Sequence, residues 1–149
     1  MIDELELLYR EHLSEFRRVA TAISGNIDLG HDAVQEAFAR AVRSRRSFRG
    51  RGTLEAWVWR IVVNAARDAR RQARPGASAT AHPAADREAL DVPLDGLTDR
   101  QREIVFLHYF ADLSYEEIAS ALGIRPGTVG ATLAAARRTL RLALEEVRT

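Results

Sequence analysis

Apolar residues recur every three to five positions along most of this chain, and no segment alternates apolar and polar residues as a strand would. This spacing puts the apolar side chains on one face of an α-helix. One stretch, Gln72–Pro93, breaks the pattern and contains three of the four prolines among Ala, Gly, Ser and Asp. The chain is therefore predicted to be all-α. Two small helical domains, residues 1–72 and 94–149, are expected on either side of a flexible linker, residues 73–93.

Three helices are predicted in the first domain. Gly25 ends the first, the second ends near Arg46, and Thr53 is the predicted N-cap of the third. A loop between the second and third helices, Arg45–Gly52, combines four Arg, two Gly and one aromatic residue. The predicted buried faces consist of Leu5, Leu8, Leu13, Phe16, Val19 and Ile23, then Val34, Ala37, Phe38, Ala41 and Val42, then Leu54, Trp57, Val58, Ile61, Val62, Ala65 and Ala69.

Two capping boxes and a proline mark three helices in the second domain. The boxes pair Thr98 with Gln101 and Ser114 with Glu117, and Pro126 occupies a first helical position. The spacing of a small residue, a Gly and an apolar residue predicts a helix-turn-helix rather than an ordinary helical hairpin. These three residues are Ala119, Gly123 and Val129. The predicted apolar face of the last helix is Val129, Leu133, Ala136, Leu140, Leu144 and Val147.

The charge of the chain is nearly balanced overall but not along its length. It has 149 residues, 22 basic and 21 acidic side chains and a net charge of +1, and every basic residue is Arg. Net charge alternates from −5 over residues 1–36 to +9 over 37–74, −6 over 75–124 and +3 over 125–149. Clustered Arg is typical of surfaces that bind nucleic acid, so the +9 block is expected to face a polyanion.

A polar stripe on the third helix lies inside this block. Arg60, Asn64, Arg67 and Arg71 are spaced four, three and four residues apart, opposite the predicted Trp57/Ile61 core face. A neutral Asn among cations suits contact with a base, and Phe48 in the preceding loop could stack on an unpaired base. The alternatives are a solvated stripe paired with Asp68 and a Phe48 that anchors the loop to the core.

No catalytic chemistry is predicted. The chain has no Cys, and its four His residues lack the spacing of metal ligands. No phosphate-binding loop, secretory leader or membrane-spanning run is recognisable. We therefore expect no enzymatic activity, no metal, no cofactor and no membrane insertion.

Four segments carry a resemblance to a known family. They are LYREHLSEF (8–16), DAVQEAF (32–38), SFRGRGTLEAWVWRIVVNAARDARR (47–71) and LTDRQREIVFLHYFADLSYEEIASALGI (97–124). In content and order they resemble the extracytoplasmic-function group of bacterial sigma factors. The resemblance implies an alternative sigma factor in the cytoplasm that binds core RNA polymerase and directs promoter recognition, DNA melting and transcription initiation. Sigma region 2 corresponds to residues 1–72 and region 4 to residues 94–149.

The resemblance also implies roles for individual residues. The DAVQEAF helix would dock on the clamp helices of the largest polymerase subunit, and the loop and third helix would melt and read the −10 element. The docking residues would be Asp32, Gln35, Glu36, Arg40 and Arg43. The −10 residues would be Phe48, Arg49, Gly50, Arg60, Asn64, Arg67 and Arg71. An anti-sigma factor is a further expected partner.

The last helix departs from the family pattern at the positions that would enter the major groove for the −35 element. Gly130, Ala131, Ala134 and Ala135 cannot make bidentate base contacts. The remaining candidates for −35 DNA are Arg125, Thr128, Thr132, Arg137, Arg138 and Arg141. Readout of DNA shape, contact with thymine methyls and weak dependence on the −35 element all remain open.

Two other functions compete with the sigma-factor reading. Residues 94–149 also resemble the helix-turn-helix of response-regulator activators, which bind duplex DNA without joining polymerase. Residues 1–71 argue against this class, since such activators lack the DAVQEAF and FRG segments. The other alternative is a sigma-like antagonist or cofactor that acts through protein contacts. Its only support is the last helix, which has Ala and Gly at the positions that would enter the major groove.

Overall fold

The computed structural model describes residues 1–50, 52–73 and 96–148, with side chains as far as Glu146. This part of the chain contains no strand, and the all-α prediction is confirmed. The helices are α1 (Ile2–Ser24), α2 (Ile27–Arg43), α3 (Leu54–Ala73), α4 (Asp99–Tyr109), α5 (Tyr115–Leu122) and α6 (Pro126–Arg148), with a 3₁₀ turn at Arg45–Ser47. Helix α3 includes the first residue of the predicted linker, and residues 74–93 lie outside the described residues. No helix among the described residues is long and apolar enough to cross a bilayer.

Helices α1, α2 and α3 pack around a cluster of aromatic rings. Phe16 of α1 lies at its centre, with ring centroids 4.4 Å from Trp59 and 5.2 Å from Phe38. The Phe38 ring in turn meets Tyr9 edge-on, at 5.0 Å. Offset and edge-to-face pairs of this kind add to the free energy of apolar burial. The cluster joins all three helices, and α2 and α3 also pack against each other.

Helix α3 is rotated from the predicted orientation, and its buried tryptophan is Trp59 rather than Trp57. Trp59 is 0% exposed, whereas Trp57 and Ile61 are only half-buried. The run from Trp57 to Val63 is apolar at every position except Arg60, so periodicity alone does not single out the core face. The buried residues are Ala56, Val58, Trp59, Val62, Val63, Ala65 and Ala66.

Local sequence signals in the second half are confirmed. Both capping boxes form, since Thr98 accepts from the backbone N–H of Gln101 and Ser114 from that of Glu117, each at 3.1 Å. Gly123 adopts a left-handed φ of 69° and ends α5, as Gly does without steric cost. Val129 and Leu133 of α6 are buried, but Leu144, which the sequence predicts on the apolar face, is 46% exposed, so that part of the prediction is wrong. The Val147 side chain lies outside the described residues.

The two halves of the chain pack against each other. Helix α1 contacts α4, and α3 contacts α5. Buried residues from both halves form one continuous apolar cluster. The side of α3 that faces away from α1 is therefore partly covered by the helix-turn-helix.

Candidate nucleic-acid interface

Helix α2 presents the predicted docking residues to solvent. Asp32, Gln35 and Glu36 are exposed, while Val34 and Ala37 between and beside them are buried. The 3.6-residue period of the helix produces this separation. The three polar side chains are brought together on one face, as the sequence predicts.

The other two docking candidates, Arg40 and Arg43, are tied to Glu36. Arg40 Nε and Arg43 Nη2 both donate to Glu36 Oε1, at 3.1 and 3.2 Å, and Arg40 Nη1 donates to Asp68 Oδ2 at 3.3 Å. The hydrogen bond from Arg40 and then that from Arg43 hold the pKa of Glu36 below its usual range. Glu36 therefore stays ionised to lower pH than an isolated glutamate, and Arg40 links α2 to α3.

The loop before α3 carries one aromatic ring and two left-handed glycines. The Phe48 ring is half-buried and lies 5.4 Å from the Trp57 ring, while Arg49 is exposed. Gly50 and Gly52 have φ of 73° and 75°. A residue with a Cβ would be strained at either glycine. The loop therefore holds Phe48 beside Trp57. The sequence left two roles open for this ring, an anchor for the loop and a ring that could stack on a base, and a half-buried Phe48 is compatible with both.

The polar stripe on α3 is divided between solvent and protein contacts. Asn64 and Arg60 are exposed, and Arg71 Nη2 donates to Asp68 Oδ1 at 2.9 Å. Asn64 follows Trp57 by seven residues, about two helical turns, so it lies on the same side of α3 as Trp57 rather than opposite it. Asn64 is thus an exposed polar side chain on the face of α3 that also carries Trp57.

Arg67 does not face solvent as the sequence suggests. Its Nε donates to Glu103 Oε1 at 3.0 Å, and its Nη2 donates to Glu103 Oε2. Glu103, which the sequence pattern does not single out, is only 6% exposed. One signal could have revealed it, because Glu103 falls three and four residues before the buried Phe106 and Leu107, on an apolar register.

The exposed face of α6 is poor in long side chains. Ala131, Ala134 and Arg138 occupy its centre, as their exposure and helical spacing indicate. Thr128 and the half-buried Thr132 flank one side, and Arg141 flanks the other. The −35 candidates therefore surround a smooth strip, with exposed Arg125 just before the helix.

Tyrosines cover the edge of α6 nearest α5. Arg137 Nε donates to the Tyr109 hydroxyl at 2.9 Å, which holds this −35 candidate at the side of the helix. A Cβ at Gly130 would lie 3.4 Å from Tyr115 Cε2. Gly130 is therefore under an aromatic ring and is not an empty position on the DNA-facing strip.

A charged cavity of about 220 Å³ lies between the two halves. It is lined by Ile23, Arg67, Arg70, Arg71, Asp99 and Glu103. Its arginines are paired with carboxylates, including Arg70 Nη1 with Asp99 Oδ1 at 3.1 Å. Within the described ranges, no group of His and carboxylate side chains is arranged to hold a metal ion.

Two family models match this chain, in the order of the two halves. The model for sigma-70 region 2 matches residues 8–75, and the model for sigma-70 region 4 matches residues 87–140. The first includes the α2 surface, the Phe48 loop and the α3 stripe, and the second includes the helix-turn-helix.

Curated relatives carry the same family description. The chain is 33% identical to the ECF RNA polymerase sigma factor SigM of Mycobacterium tuberculosis, over 89% of this chain and 73% of SigM. It is 32% identical to the ECF RNA polymerase sigma factor SigE of Mycolicibacterium smegmatis, over 90% of this chain, and it spans 59% of that protein's length. RNA polymerase sigma factor YlaC of Bacillus subtilis is 27% identical, over 93% of this chain and 91% of YlaC.

Two solved structures share the fold. CnrH, in complex with the cytosolic domain of CnrY, has a TM-score of 0.79 at 24% identity, over 98% of this chain and 90% of that one. The sigma factor RpoE from Bartonella quintana, in complex with the anti-sigma factor NepR, has a TM-score of 0.74 at 25% identity. That match covers 95% of this chain and 97% of RpoE.

Proposed function

The chain belongs to the extracytoplasmic-function group of RNA polymerase sigma factors, alternative sigma factors that direct promoter-specific transcription initiation, and we propose how its residues divide that work. Residues 1–72 bind core polymerase and read the −10 element, residues 73–93 connect the halves, and residues 94–149 bind the −35 element. The observation that carries this proposal is the order of the two regions on one chain, each with its exposed polar surface. The protein has no catalytic activity of its own and acts in the cytoplasm, where the polymerase is.

Docking on polymerase uses the exposed face of α2. Asp32, Gln35 and Glu36 contact the clamp helices of the largest subunit, and Arg40 and Arg43 orient Glu36 through hydrogen bonds. Charged groups arranged in this way favour a single register with a complementary surface. Arg40 also bonds to Asp68 on α3, so the docking helix and the DNA-reading helix move as one unit.

Reading of the −10 element uses the loop and the open side of α3. Unstacking a base step costs a few kcal/mol, and part of this is recovered when the flipped base enters an aromatic and polar pocket. Phe48 beside Trp57 supplies the ring, and exposed Asn64 supplies donors and an acceptor. Arg49, Arg60, Arg67 and Arg71 hold the separated strand through its phosphates, and Gly50 gives the loop its left-handed turn.

Binding to the −35 element uses the helix-turn-helix. Thr128 and Thr132 lie on one side of the smooth strip of α6 and Arg141 on the other, with Arg125 before the helix. Arg137, Arg138 and Arg141 lie farther along the helix and suit phosphates. Ala and Gly cannot form bidentate base contacts. Docking of the helix is therefore retained while base readout is weak.

An anti-sigma factor is a proposed partner. The RpoE of Bartonella quintana, which shares this fold, was solved with the anti-sigma factor NepR. The same fold here offers a comparable surface.

Transcription in vitro tests the proposed function directly. Purified core polymerase is supplied with this chain over a genomic promoter library, and transcripts that share a −10 motif are expected only when the chain is present. Asp32→Ala with Gln35→Ala should abolish co-purification with core, whereas the control Glu11→Ala, which removes an exposed carboxylate from α1, should not. The same transcript pattern with and without the chain would refute the proposal.

A further inference from the structure

Two tyrosines cover the side of α6 next to its smooth strip. Tyr109, at the end of α4, is 50% exposed, and Tyr115, at the start of α5, is 37% exposed. Tyr115 lies over Gly130, where an added Cβ would be 3.4 Å from its ring carbon Cε2. Tyr109 meets Arg137, which lies about two helical turns after Gly130 on the same side of α6. The two tyrosines therefore widen the surface that α6 presents beside the strip.

His108 holds the two tyrosine rings in place. Its ring centroid is 4.8 Å from that of Tyr109 and 5.5 Å from that of Tyr115, and both rings are met edge-on. Because a carbonyl oxygen only accepts, His108 Nδ1 donates to the Leu113 oxygen, at 3.2 Å. These contacts anchor both tyrosines to the turn between α4 and α5.

A hydroxyl group orients Arg137. Its Nε donates to the Tyr109 hydroxyl at 2.9 Å, and its guanidinium carbon lies 5.9 Å from the centroid of the Tyr109 ring. Hydrogen bonding to Tyr109, and then to the Tyr115 hydroxyl, raises the pKa of Arg137. The guanidinium is planar, so the contact at Nε also sets the direction of its two Nη groups.

The partner that orients Arg137 is uncharged, unlike the partners of arginines on α3. Arg70 and Arg71 are each paired with a carboxylate, that of Asp99 and that of Asp68 respectively. A phenolic hydroxyl carries no charge at neutral pH, so it orients a guanidinium without neutralising it. The positive charge of Arg137 therefore stays available to an anion.

A phosphate of duplex DNA is the anion that this position reaches. The second helix of a helix-turn-helix contacts base edges with its N-terminal residues. At 1.5 Å per residue, Arg137 lies about 16 Å beyond Pro126, which exceeds the width of a major groove, about 12 Å. The phosphate backbone borders the groove, and a guanidinium fork matches two phosphate oxygens.

We propose that Tyr109 is a positioning residue for −35 DNA, which orients the Arg137 guanidinium so that its Nη groups bind one backbone phosphate beside the smooth strip. The inference rests on the proposed function, because it takes α6 as the helix that enters the major groove. Tyr109 acts through Arg137 and not by contact with a base. An arginine that is already oriented loses less side-chain freedom on binding, so its phosphate contact contributes more to affinity.

NMR of the free protein tests the orientation of Arg137 without DNA. The hydrogen bond to Tyr109 protects the Arg137 Nε–H from exchange with water, so Tyr109→Phe should speed this exchange severalfold. The matched control is Tyr9→Phe, which removes a hydroxyl from α1 in the other half and should leave the exchange rate unchanged. Equal rates in Tyr109→Phe and in the wild type would overturn the positioning role.

Binding of duplex DNA tests the phosphate contact. The probe is a fluorescent duplex of about 20 base pairs and random sequence, because phosphate contacts do not depend on sequence. Its affinity for the full chain is measured over a series of salt concentrations. Arg137→Gln should weaken binding and lower the slope of log K against log[salt] by about 0.9. Tyr109→Phe, which keeps every charge, should weaken binding about threefold.

Coupling between the two residues distinguishes positioning from a general effect on the fold. Tyr109→Phe should cost little further affinity in the Arg137→Gln background, because the guanidinium that it orients is already absent. Arg138→Gln is the matched control, since it removes the same charge from the next residue of α6. Its effect should add in full to that of Tyr109→Phe. A general loss of structure would instead weaken binding equally in both backgrounds.

The outcomes separate the possible failures. Full additivity of Tyr109→Phe with Arg137→Gln, or no salt-dependent duplex binding by the wild type, would overturn the proposal. Unchanged duplex binding by Tyr109→Phe with loss of core polymerase would assign this surface to a protein partner and overturn it too. Failure of the proposed function is read independently, from transcription by the wild-type chain.

A second variant covers a failure of Tyr109→Phe to fold, which circular dichroism detects. Arg137→Lys keeps the charge but lacks the planar fork that joins the Tyr109 hydroxyl to a phosphate. It should weaken duplex binding about threefold with little change in the salt slope. Wild-type affinity in Arg137→Lys would overturn the proposal.

Discussion

Glu36 on α2 accepts hydrogen bonds from two arginines, which lower its pKa. Arg40→Gln removes the larger of the two hydrogen-bond contributions and should raise the pKa of Glu36 toward its ordinary value of 4.5. The folded-state pKa is depressed, so the stabilisation from this network is complete above the unfolded pKa and is lost as pH falls through the folded value. An NMR titration of the Glu36 carboxyl carbon in both proteins measures the change.

The matched control is Arg10→Gln, which removes the exposed Arg10–Glu6 pair on α1 and should leave the pKa of Glu36 unchanged. Identical titration of Glu36 in the wild type and in Arg40→Gln would mean that the Arg40 hydrogen bond does not lower the pKa of the docking carboxylate.

The two tryptophans of α3 differ in their contribution to stability. Trp59 is 0% exposed and packs on Phe16, so Trp59→Ala should lower the free energy of unfolding by about 3–5 kcal/mol. The matched change Trp57→Ala should cost less, since Trp57 is half-buried beside Phe48. Urea unfolding measures both. A larger loss from Trp57→Ala would contradict the rotation of α3 described above.

Periodicity could not identify the core face of α3 because apolar residues surround the helix. One side packs on α1 and α2 and another on α5, so the helix lacks a wide polar face. Glu103 was missed for a related reason. Its partner Arg67 is 36 residues away across a segment whose path no local pattern predicts. The positions of residues that depend on neighbours in the sequence were predicted. The positions of residues that depend on packing between the two halves were not.

At the scale of the elements, helix ends and turns were the best-predicted features. A capping box requires only a hydroxyl and a carboxylate or amide three residues apart, and the left-handed turn of Gly123 requires only the absence of a Cβ. The capping box and the glycine turn each depend on only four or five consecutive residues. The helix-turn-helix was therefore predictable, while the exposure of Leu144 on α6 depends on how far α4 extends along that helix.

The N-terminal part of α6 is less stable than it could be. Gly in a helix interior costs about 1 kcal/mol relative to Ala, and a Cβ at Gly130 would meet Tyr115 at an ordinary contact distance of 3.4 Å. Gly130→Ala should therefore raise the free energy of unfolding by up to about 1 kcal/mol, measured by thermal unfolding. Gly123→Ala is the contrasting control and should destabilise, because its φ is 69°. Destabilisation by Gly130→Ala would show that Tyr115 cannot adjust.

The two DNA-facing elements should differ in sequence dependence. The strip of α6 offers Ala131 and Ala134 where long side chains would read bases, whereas α3 and its loop offer Asn64 and Phe48. Scrambling the −35 element should therefore reduce transcription less than scrambling the −10 element. Transcription in vitro from matched templates measures both losses. A greater loss at −35 would show that the Ala-rich strip reads DNA by shape or by methyl contacts.

At the scale of the whole molecule, the charge blocks acquire a structural meaning. Arg67 and Arg70 come from the +9 block, and Glu103 and Asp99, which they contact, come from the −6 block that follows. The basic surface predicted to face a polyanion is thus partly neutralised by the protein's own acidic half. The distribution of charge along the sequence predicted a surface that faces a polyanion. The pairing of this surface with acidic residues of the second half is visible only in the fold.

The central claim is that core binding and promoter opening reside on different surfaces of the first half, α2 and the α3 stripe. The most direct measurement assembles holoenzyme on a cognate promoter with 2-aminopurine in the −10 element, and follows its fluorescence together with co-purification of core. Asn64→Ala should retain core and reduce opening about tenfold, the scale of one lost base contact. Asp32→Ala with Gln35→Ala should lose core and opening together. Wild-type opening by Asn64→Ala, or full core binding by the double variant, would contradict the account.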